Sequence, residues 1–312
     1  MRWALKMRKT LPPVGLGAHL RRRYGQSLEF IEYRDYQVGD DIRNVDWQAS
    51  FRRPHNHPWI ARAYEAEQAK PLLIILDCRT AMRLPVRAEK LLVGIWLAQI
   101  LAQLALRRGD AVTLATMFGR VKTKPLKVKS LAGMAQIQKY LRKIYTETPS
   151  DADWGTAPPP LDLSALDKQL RHAAAICVIS DFTFDDATNA FANFARRAQG
   201  NFRALYMLAL DSWPAERALL TAQPFRLASV EASPIYDGLR EADAAYLAAC
   251  DAALATQLTT LRRHCTGPGL VWPDAPLAYR NQPTNDLAAL QDWFRQAALN
   301  NPTLRSLMTR VA

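Results

Sequence analysis

Nearly continuous apolar runs alternate with amphipathic stretches from about residue 70 onward. Apolar runs of this length predict strands that are buried on both faces of a sheet. Four such core strands are predicted, at 71–77, 110–118, 174–181 and 202–211. Apolar positions at helical spacing predict four helices between them, at 86–109, 130–145, 161–173 and 187–199. The alternation predicts an α/β protein in which a mostly parallel sheet carries helices on both faces.

The remaining segments complete a two-part organisation. Beyond the core pattern we predict an exposed strand at 121–128, an irregular proline-rich segment at 151–160, a possible strand at 225–232, a helix at 239–265, a short apolar segment at 269–272 and a closing helix at 284–299. Before residue 70, short alternating stretches predict strands at 27–33 and 58–67, and "GDDIRNVDWQ" predicts a turn and a short helix capped by Asp40 or Asp41. We therefore predict an N-terminal extension, residues 1–69, and a sheet domain, residues 70–312.

Three of the core strands end in a carboxylate: Asp77, Asp181 and Asp211. In parallel α/β folds ligands bind in the crevice at the carboxyl ends of the strands. These aspartates are therefore the first candidates for a functional site.

The stretch from residue 32 to residue 53 combines charges and aromatic rings more densely than any other part of the chain. With the residues just before it, it contains a spaced series of polar, charged and aromatic positions: Glu29, Phe30, Arg34, Gly39, Asp40, Arg43, Asp46 and Trp47. In this series, and in the later "LLIILD", "RRGDAVTL" and "VISDF", the chain resembles the bacterial domain of unknown function 58 family. The resemblance covers nearly the whole chain and implies a von Willebrand factor A-like, Rossmann-like fold.

Von Willebrand A domains usually bind proteins through a metal-ion-dependent adhesion site with the motif DxSxS, to which later loops add a threonine and an aspartate. Hydroxyl and carboxylate oxygens suit a hard cation such as magnesium. On this resemblance Asp77 matches the first aspartate, Arg79 and Ala81 replace the two serines, Thr156 matches the threonine and Asp181 the later carboxylate. Arg79 brings a fixed positive charge and Ala81 no ligand atom. We therefore predict that Arg79 pairs with Asp77 or Asp181 in a degenerate site that holds neither metal nor cofactor.

The role of the charged stretch has two interpretations. Arg43 and Asp46 lie three residues apart, a spacing that brings side chains together on a helical turn. Tyr33, Tyr36 and Trp47 would cover such a pair and lower the local dielectric constant. This favours a structural clasp that joins the N-terminal strands to the sheet domain, over a surface that binds a partner directly.

Other chemistry receives little support from the residues. His55 and His57 have HxH spacing, but no Cys or further His stands near them, so a surface loop is favoured over a metal site. Cys78 follows Asp77 directly, and we interpret it as a buried thiol rather than a reactive thiolate. No GxSxG, Walker or GxGxxG motif is present, and we predict a protein without enzymatic activity.

The formal net charge of +12 suits an acidic partner, such as nucleic acid, an anionic membrane surface or an acidic protein, although each basic cluster alone is more often a solvated face. No apolar run reaches the length of a membrane helix, and the basic N-terminus lacks an apolar signal region, so we predict a soluble, cytoplasmic protein. Members of the family that the chain resembles are commonly encoded beside MoxR-type AAA+ ATPases and other von Willebrand A proteins. The favoured function is a protein-interaction module that acts with such an ATPase in chaperone-like assembly or maturation. The alternative is a nucleic-acid-associated factor that uses its basic clusters on phosphates.

Overall fold

The computed structural model groups the chain into two compact units, residues 13–69 and residues 1–12 with 70–312. It describes residues 2–5, 30–37, 42–54, 57–64, 71–85, 89–118, 124–148, 161, 163, 166–170, 173–199, 204–222, 226–227, 240–265, 270–271, 277–278, 287–300 and 308–311.

The described residues contain both strands and helices in each unit. The strands are β1 (Arg2–Leu5), β2 (Phe30–Asp35), β3 (Ile60–Tyr64), β4 (Leu72–Asp77), β5 (Val112–Met117), β6 (Leu126–Val128), β7 (Ala175–Ser180), β8 (Ala204–Asp211), β9 (Arg226–Leu227), β10 (Arg240–Glu241), β11 (Leu270–Val271), β12 (Leu277–Ala278) and β13 (Met308–Val311). The α-helices are α1 (Trp47–Phe51), α2 (Lys90–Arg107), α3 (Met134–Glu147), α4 (Asp167–Leu170), α5 (Ala190–Gln199), α6 (Trp213–Ala222), α7 (Ala244–His264) and α8 (Leu287–Asn300).

The larger unit is built on one seven-stranded sheet with the order β11-β8-β7-β4-β5-β6, and β12 pairs with β8 as well. β4, β5, β7 and β8 run parallel, while β6 is an antiparallel edge strand. The chain starts the sheet at β4, adds β5 and β6 on one side, and then returns to add β7 and β8 on the other. This is the Rossmann-like arrangement, and its order reverses between β4 and β7. The predicted fold class is therefore confirmed.

Two apolar layers cover the sheet because its central strands point successive side chains to opposite faces. Leu72, Ile74 and Leu76 pack in one layer with α2. Leu73 and Ile75 pack in the other layer, which holds the phenylalanines of α5. A Cβ atom on Gly94 of α2 would lie 2.9 Å from Leu76 Cδ1, so the absence of a side chain lets α2 approach the sheet closely.

Helix α2 is the candidate for a membrane-spanning helix among the described residues. Among the described residues it is the one helix long and apolar enough to cross a bilayer, and 67 % of it is buried inside the molecule. The core helix of a soluble protein has the same properties, so no membrane span follows from it.

The smaller unit contains an antiparallel pair of strands, β2 and β3, and a helical segment lies between them along the chain. A 3-10 turn at Ile42–Asn44 leads into α1, and Val45 between them forms a bridge to Ala61 of β3. Asp46 caps α1, with its carboxylate accepting a hydrogen bond from the Ala49 amide at 3.0 Å, and the cap predicted at Asp40 or Asp41 stays a prediction. Asp40 and Asp41 lie outside the described residues.

Several other predictions need correction. Among the described residues of the predicted helix at 161–173, the α-helix covers only α4, and among those of the predicted exposed strand at 121–128, only β6 is a strand. The helix predicted from residue 239 begins at Ala244, because the short strand β10 occupies Arg240–Glu241. Helix α6 was not predicted, nor was the pairing of β1 with β13.

Candidate functional site

Asp77 and Asp181 meet at the point where the strand order of the sheet reverses. Asp77 is the last residue of β4 and Asp181 follows the last residue of β7, and these two strands are neighbours in parallel register. Crevices in open α/β sheets form at this position because the helices after the two strands leave in opposite directions. Both aspartates are buried, Asp77 completely.

Arg79 lies between the two carboxylates and pairs with both. Its Nη2 atom donates to Asp77 Oδ2 at 2.9 Å and also to Asp181 Oδ1. Its Nε atom donates to Asp77 Oδ2 at 3.1 Å, and its backbone amide donates to Asp77 Oδ1 at 3.0 Å. The pairing predicted for Arg79 is therefore confirmed, with both carboxylates rather than one.

Lys90 and Ser180 complete the cluster. Lys90 Nζ, at the first residue of α2, donates to Asp181 Oδ2 at 2.7 Å. Ser180 Oγ donates to Asp77 Oδ2 at 2.7 Å and accepts a hydrogen bond from the Phe182 amide at 2.9 Å. Each carboxylate oxygen thus has at least one donor, which is what buried carboxylates require.

The cluster is balanced in charge. Two carboxylates, Asp77 and Asp181, face two cations, Arg79 and Lys90. Burial alone would raise the pKa of Asp181, but Lys90 and Arg79 hold it well below the ordinary value. Burial likewise acts to lower the pKa of Lys90, but the negative charges of Asp181 and Glu216 and the hydrogen bond to Asp181 together outweigh burial and raise the pKa. Both groups therefore stay ionised at neutral pH.

Aromatic rings cover the guanidinium group. The Arg79 Cζ atom lies 5.1 Å from the centre of the Phe118 ring and 5.3 Å from that of Phe184, both cation–π distances. Phe118 and Phe182, which follow β5 and β7, have φ angles of 70° and 56°. A left-handed backbone is strained for a bulky residue and tends to occur at functional sites.

The other residues predicted for this site are only partly placed around it. Ala81 lies in a 3-10 turn at Thr80–Arg83 and contributes no polar side chain. Thr156 lies outside the described residues. Asp211 ends β8 and accepts a hydrogen bond from the Trp213 amide at 3.0 Å; burial raises its pKa. Within the part of the chain that the structure describes, no group of three or more His, Cys, Asp or Glu side chains could hold a metal ion.

The thiol of Cys78, next to Asp77, is buried and inert. Burial, followed by the negative charge of Asp77, raises its pKa well above the ordinary value. It therefore stays protonated at neutral pH, in agreement with the buried thiol predicted.

The described part of the family series in the smaller unit forms a second ionic network, around Asp46. Its Oδ2 accepts hydrogen bonds from Arg62 Nε at 3.0 Å and Nη2 at 2.7 Å. The backbone hydrogen bond from Ala49 and the bonds from Arg62 lower its pKa. The Ser50 hydroxyl donates to the Asp46 carbonyl at 2.7 Å and accepts from the Ile60 amide at 2.9 Å. The ion pair that the structure gives Asp46 is thus with Arg62, not with the predicted Arg43.

The rest of that series is placed as follows. Arg34 lies in β2, Arg43 lies exposed in the 3-10 turn, and Trp47 begins α1 and makes an edge contact with Trp59 at 5.3 Å. Phe30 begins β2, and Glu29, Gly39 and Asp40 lie outside the described residues, as does His55 of the HxH pair. Among the described residues of the smaller unit, the ion pairs Asp46–Arg62 and Asp35–Arg53 are internal to that unit. The clasp between the units stays a prediction.

Sequence reasoning missed Ser180 and Lys90 as parts of the site. A lysine at the first residue of a helix opposes the helix dipole, and this signals a nearby carboxylate partner. Ser180 stands directly before Asp181, but nothing local distinguishes it from a serine that merely ends a strand.

Fold and site together define a Rossmann-like α/β protein with an ion-paired carboxylate centre at its switch point. Residues 32–201, more than half of the 312-residue chain, match the family model described as "Protein of unknown function DUF58". The chain belongs to this family, as the sequence resemblance implied. A comparison with curated proteins found no match.

Proposed function

We propose that this protein is a non-enzymatic protein-interaction module that acts with a MoxR-type AAA+ ATPase in chaperone-like assembly or maturation. In this proposal the carboxyl end of the sheet is a degenerate adhesion site of the von Willebrand A kind. The proposed place of action is the cytoplasm.

The observation that carries the proposal is the pairing of Arg79 with Asp77 and Asp181. In a metal-dependent adhesion site a divalent cation neutralises carboxylates at this edge of the sheet. Here Arg79 and Lys90 supply the same total charge of +2 from the chain itself. The centre therefore keeps the carboxylates of an adhesion site and replaces the cation with two side chains.

The sheet order is consistent with this interpretation. The β4 strand at the centre, with β5 and the antiparallel β6 on one side and β7 and β8 on the other, is compatible with a von Willebrand A-like domain. In such domains partners bind at the carboxyl end of the sheet, where the Asp77 and Asp181 cluster lies.

Co-purification tests the proposed partner. A tagged copy of the full chain, expressed in its own organism, is expected to retain the MoxR-type ATPase of that organism at stoichiometric amounts. An unrelated tagged protein of similar positive charge serves as the control for non-specific capture. Recovery of nucleic acid without the ATPase, lost steeply as salt is raised, would instead support the nucleic-acid alternative.

Calorimetric titration tests the absence of a metal. We expect no heat of binding from Mn²⁺ or Mg²⁺ on the wild-type protein, because two buried cations already occupy the carboxylates. The triple variant Arg79→Ser, Ala81→Ser, Lys90→Met removes both cations and restores two hydroxyls, and it is expected to bind Mn²⁺ with a Kd of about 1 mM or tighter. Binding of Mn²⁺ at Asp77 in the wild type, with Arg79 displaced, would contradict the degenerate site.

A further inference from the structure

The cations of the larger unit are not evenly distributed, and one segment of the chain carries many of them with few acidic neighbours. Residues 111–146 contain no Asp or Glu and eight cations: Arg120, Lys122, Lys124, Lys127, Lys129, Lys139, Arg142 and Lys143. Six of these lie in the described residues and all six are exposed. Lys143 pairs with Glu147 at 3.5 Å, whereas the other five form no ion pair with the part of the chain that the structure describes.

Several exposed arginines elsewhere in the described residues show the contrasting arrangement. Arg53, Arg217 and Arg295, for example, each pair with an aspartate at 2.7 to 3.1 Å. Unpaired cations gathered on one surface create a positive field that attracts an acidic partner. The residues of β6 and α3 therefore form the strongest candidate surface for such a partner.

A groove between α2 and α3 adjoins these cations. It has a volume of about 370 Å³, and its lining comprises Leu92, Ile95, Gln99, Gln138, Leu141, Arg142 and Tyr145. Leu92 is half-buried and supplies apolar surface, whereas Ile95 and Leu141 are buried in the lining, and the two glutamine side chains can donate and accept hydrogen bonds. Lys139 lies three residues before Arg142, so both cations project from the same face of α3.

We propose that this groove binds an acidic, partly apolar segment of a partner protein, an inference that rests on the proposed role as a protein-interaction module. An apolar side chain of the segment contacts Leu92. Carboxylates beside it pair with Lys139 and Arg142. This is the arrangement by which grooves between helices recognise amphipathic segments.

The lining favours a polypeptide over a nucleic acid. A sugar-phosphate backbone has no apolar group to place against Leu92, and a single strand needs exposed aromatic rings for base stacking. The aromatic residue in the groove, Tyr145, is half-buried and already engaged, since Arg83 stacks on its ring at 4.3 Å and Glu89 accepts from its hydroxyl at 3.3 Å.

Fluorescence anisotropy on the full chain tests the groove with three labelled probes. The first is a glutamate-rich peptide of about 15 residues with two leucines four positions apart. The second replaces both leucines with glutamine, and the third is a single-stranded DNA with the same number of negative charges. The wild-type chain is expected to bind the leucine peptide about tenfold more tightly than either of the other probes.

Two charge-reversal variants locate the binding. The first variant, Lys139→Glu with Arg142→Glu, reverses the charge beside the groove. The second, Lys124→Glu with Lys127→Glu, makes the same change of net charge at exposed positions outside the lining of the groove. The leucine peptide should lose at least tenfold in affinity for the first variant and markedly less for the second. Equal losses for both variants, tighter binding of the DNA, or no binding of the peptide by the wild type would each overturn the proposal.

The same variants separate this proposal from the function on which it rests. If the ATPase is captured equally well by Lys139→Glu with Arg142→Glu, the groove is not its docking site, although the proposed function stands. If the wild type captures no ATPase, the proposed function fails, and the peptide measurements still decide whether the groove binds acidic segments.

Discussion

The two ionic networks of this protein use the same parts in different surroundings. In each, an aspartate accepts a hydrogen bond from a backbone amide two or three residues later and pairs with an arginine: Asp77 with Arg79, Asp46 with Arg62. In each, a serine hydroxyl donates to the aspartate residue and accepts from a backbone amide: Ser180 and Ser50. The difference lies in the arginine, whose side chain is 3 % exposed at Arg79 and 46 % exposed at Arg62.

Burial determines what each network does for the protein. Water can solvate Arg62 if its partner is removed, so the pair mainly orients α1 against β3. No water can replace a lost partner of Asp77 or Asp181, so each member of that centre depends on all the others. The comparison predicts large, coupled effects at the end of the sheet and small, separable ones in the smaller unit.

The largest effect is expected from Arg79→Met. The substitution leaves Asp77 and Asp181 buried with only Lys90 to balance them, and removal of one partner from a buried pair typically costs about 3–5 kcal/mol. Urea unfolding of the larger unit measures the loss. Arg295→Met removes an exposed pair with Asp292 and serves as the matched control, with an expected change below about 1 kcal/mol. Similar losses in the two variants would contradict the role of burial.

Acid should weaken the buried centre next most strongly. The pKa of Asp181 is lower in the folded protein than its ordinary value of 3.8, so the unfolded chain takes up the proton first as the pH falls. The stabilisation from Asp181 is therefore complete above about pH 5 and is lost progressively below it, in total by an amount on the order of 2 kcal/mol. Urea midpoints between pH 7 and pH 3 check this. Asp181→Asn should show a shallower fall than the wild type, and parallel curves would contradict the prediction.

How much of this centre could be predicted depends on the distance along the chain between the contacting residues. Asp77 and Arg79 are two residues apart, and the apolar run before them marks the end of a buried strand, so their pairing follows from local pattern. Lys90 and Ser180 join the centre through the packing of α2 and β7, and such contacts leave little trace in a single sequence.

The same reasoning explains the errors in the fold. Helix α6 was missed because Pro214, its second residue, suggests an interruption, although proline is tolerated in the first turn of a helix. Strands β1 and β13 pair across almost the whole length of the chain, and two strands of four residues carry no local signal for such a partner. The buried core strands were predicted well because continuous apolar runs bounded by polar residues are their direct consequence.

The two serines offer the most closely matched test of the comparison. Ser180→Ala removes one donor to Asp77 and leaves the buried Phe182 amide without its partner, and we expect a loss of about 1.5–2 kcal/mol. Ser50→Ala removes the same pair of bonds where water has access, and about 1 kcal/mol is expected. Urea unfolding measures the first change, and hydrogen exchange at α1 and β3 measures the second. A larger effect at Ser50 than at Ser180 would reverse the comparison.

The smallest effect is expected from Arg43→Ala, which tests the two interpretations of the charged stretch. The Arg43 side chain is exposed, so its removal should change the free energy of unfolding by no more than about 0.5 kcal/mol, as measured by urea unfolding. A variant that fails to fold would instead support the clasp between the N-terminal strands and the sheet domain. A folded variant that no longer captures the ATPase would support a partner-binding surface, because a local loss of charge then acts on recognition alone. Arg52→Ala, another exposed arginine that follows α1, is the matched control, since it should leave both folding and capture unchanged.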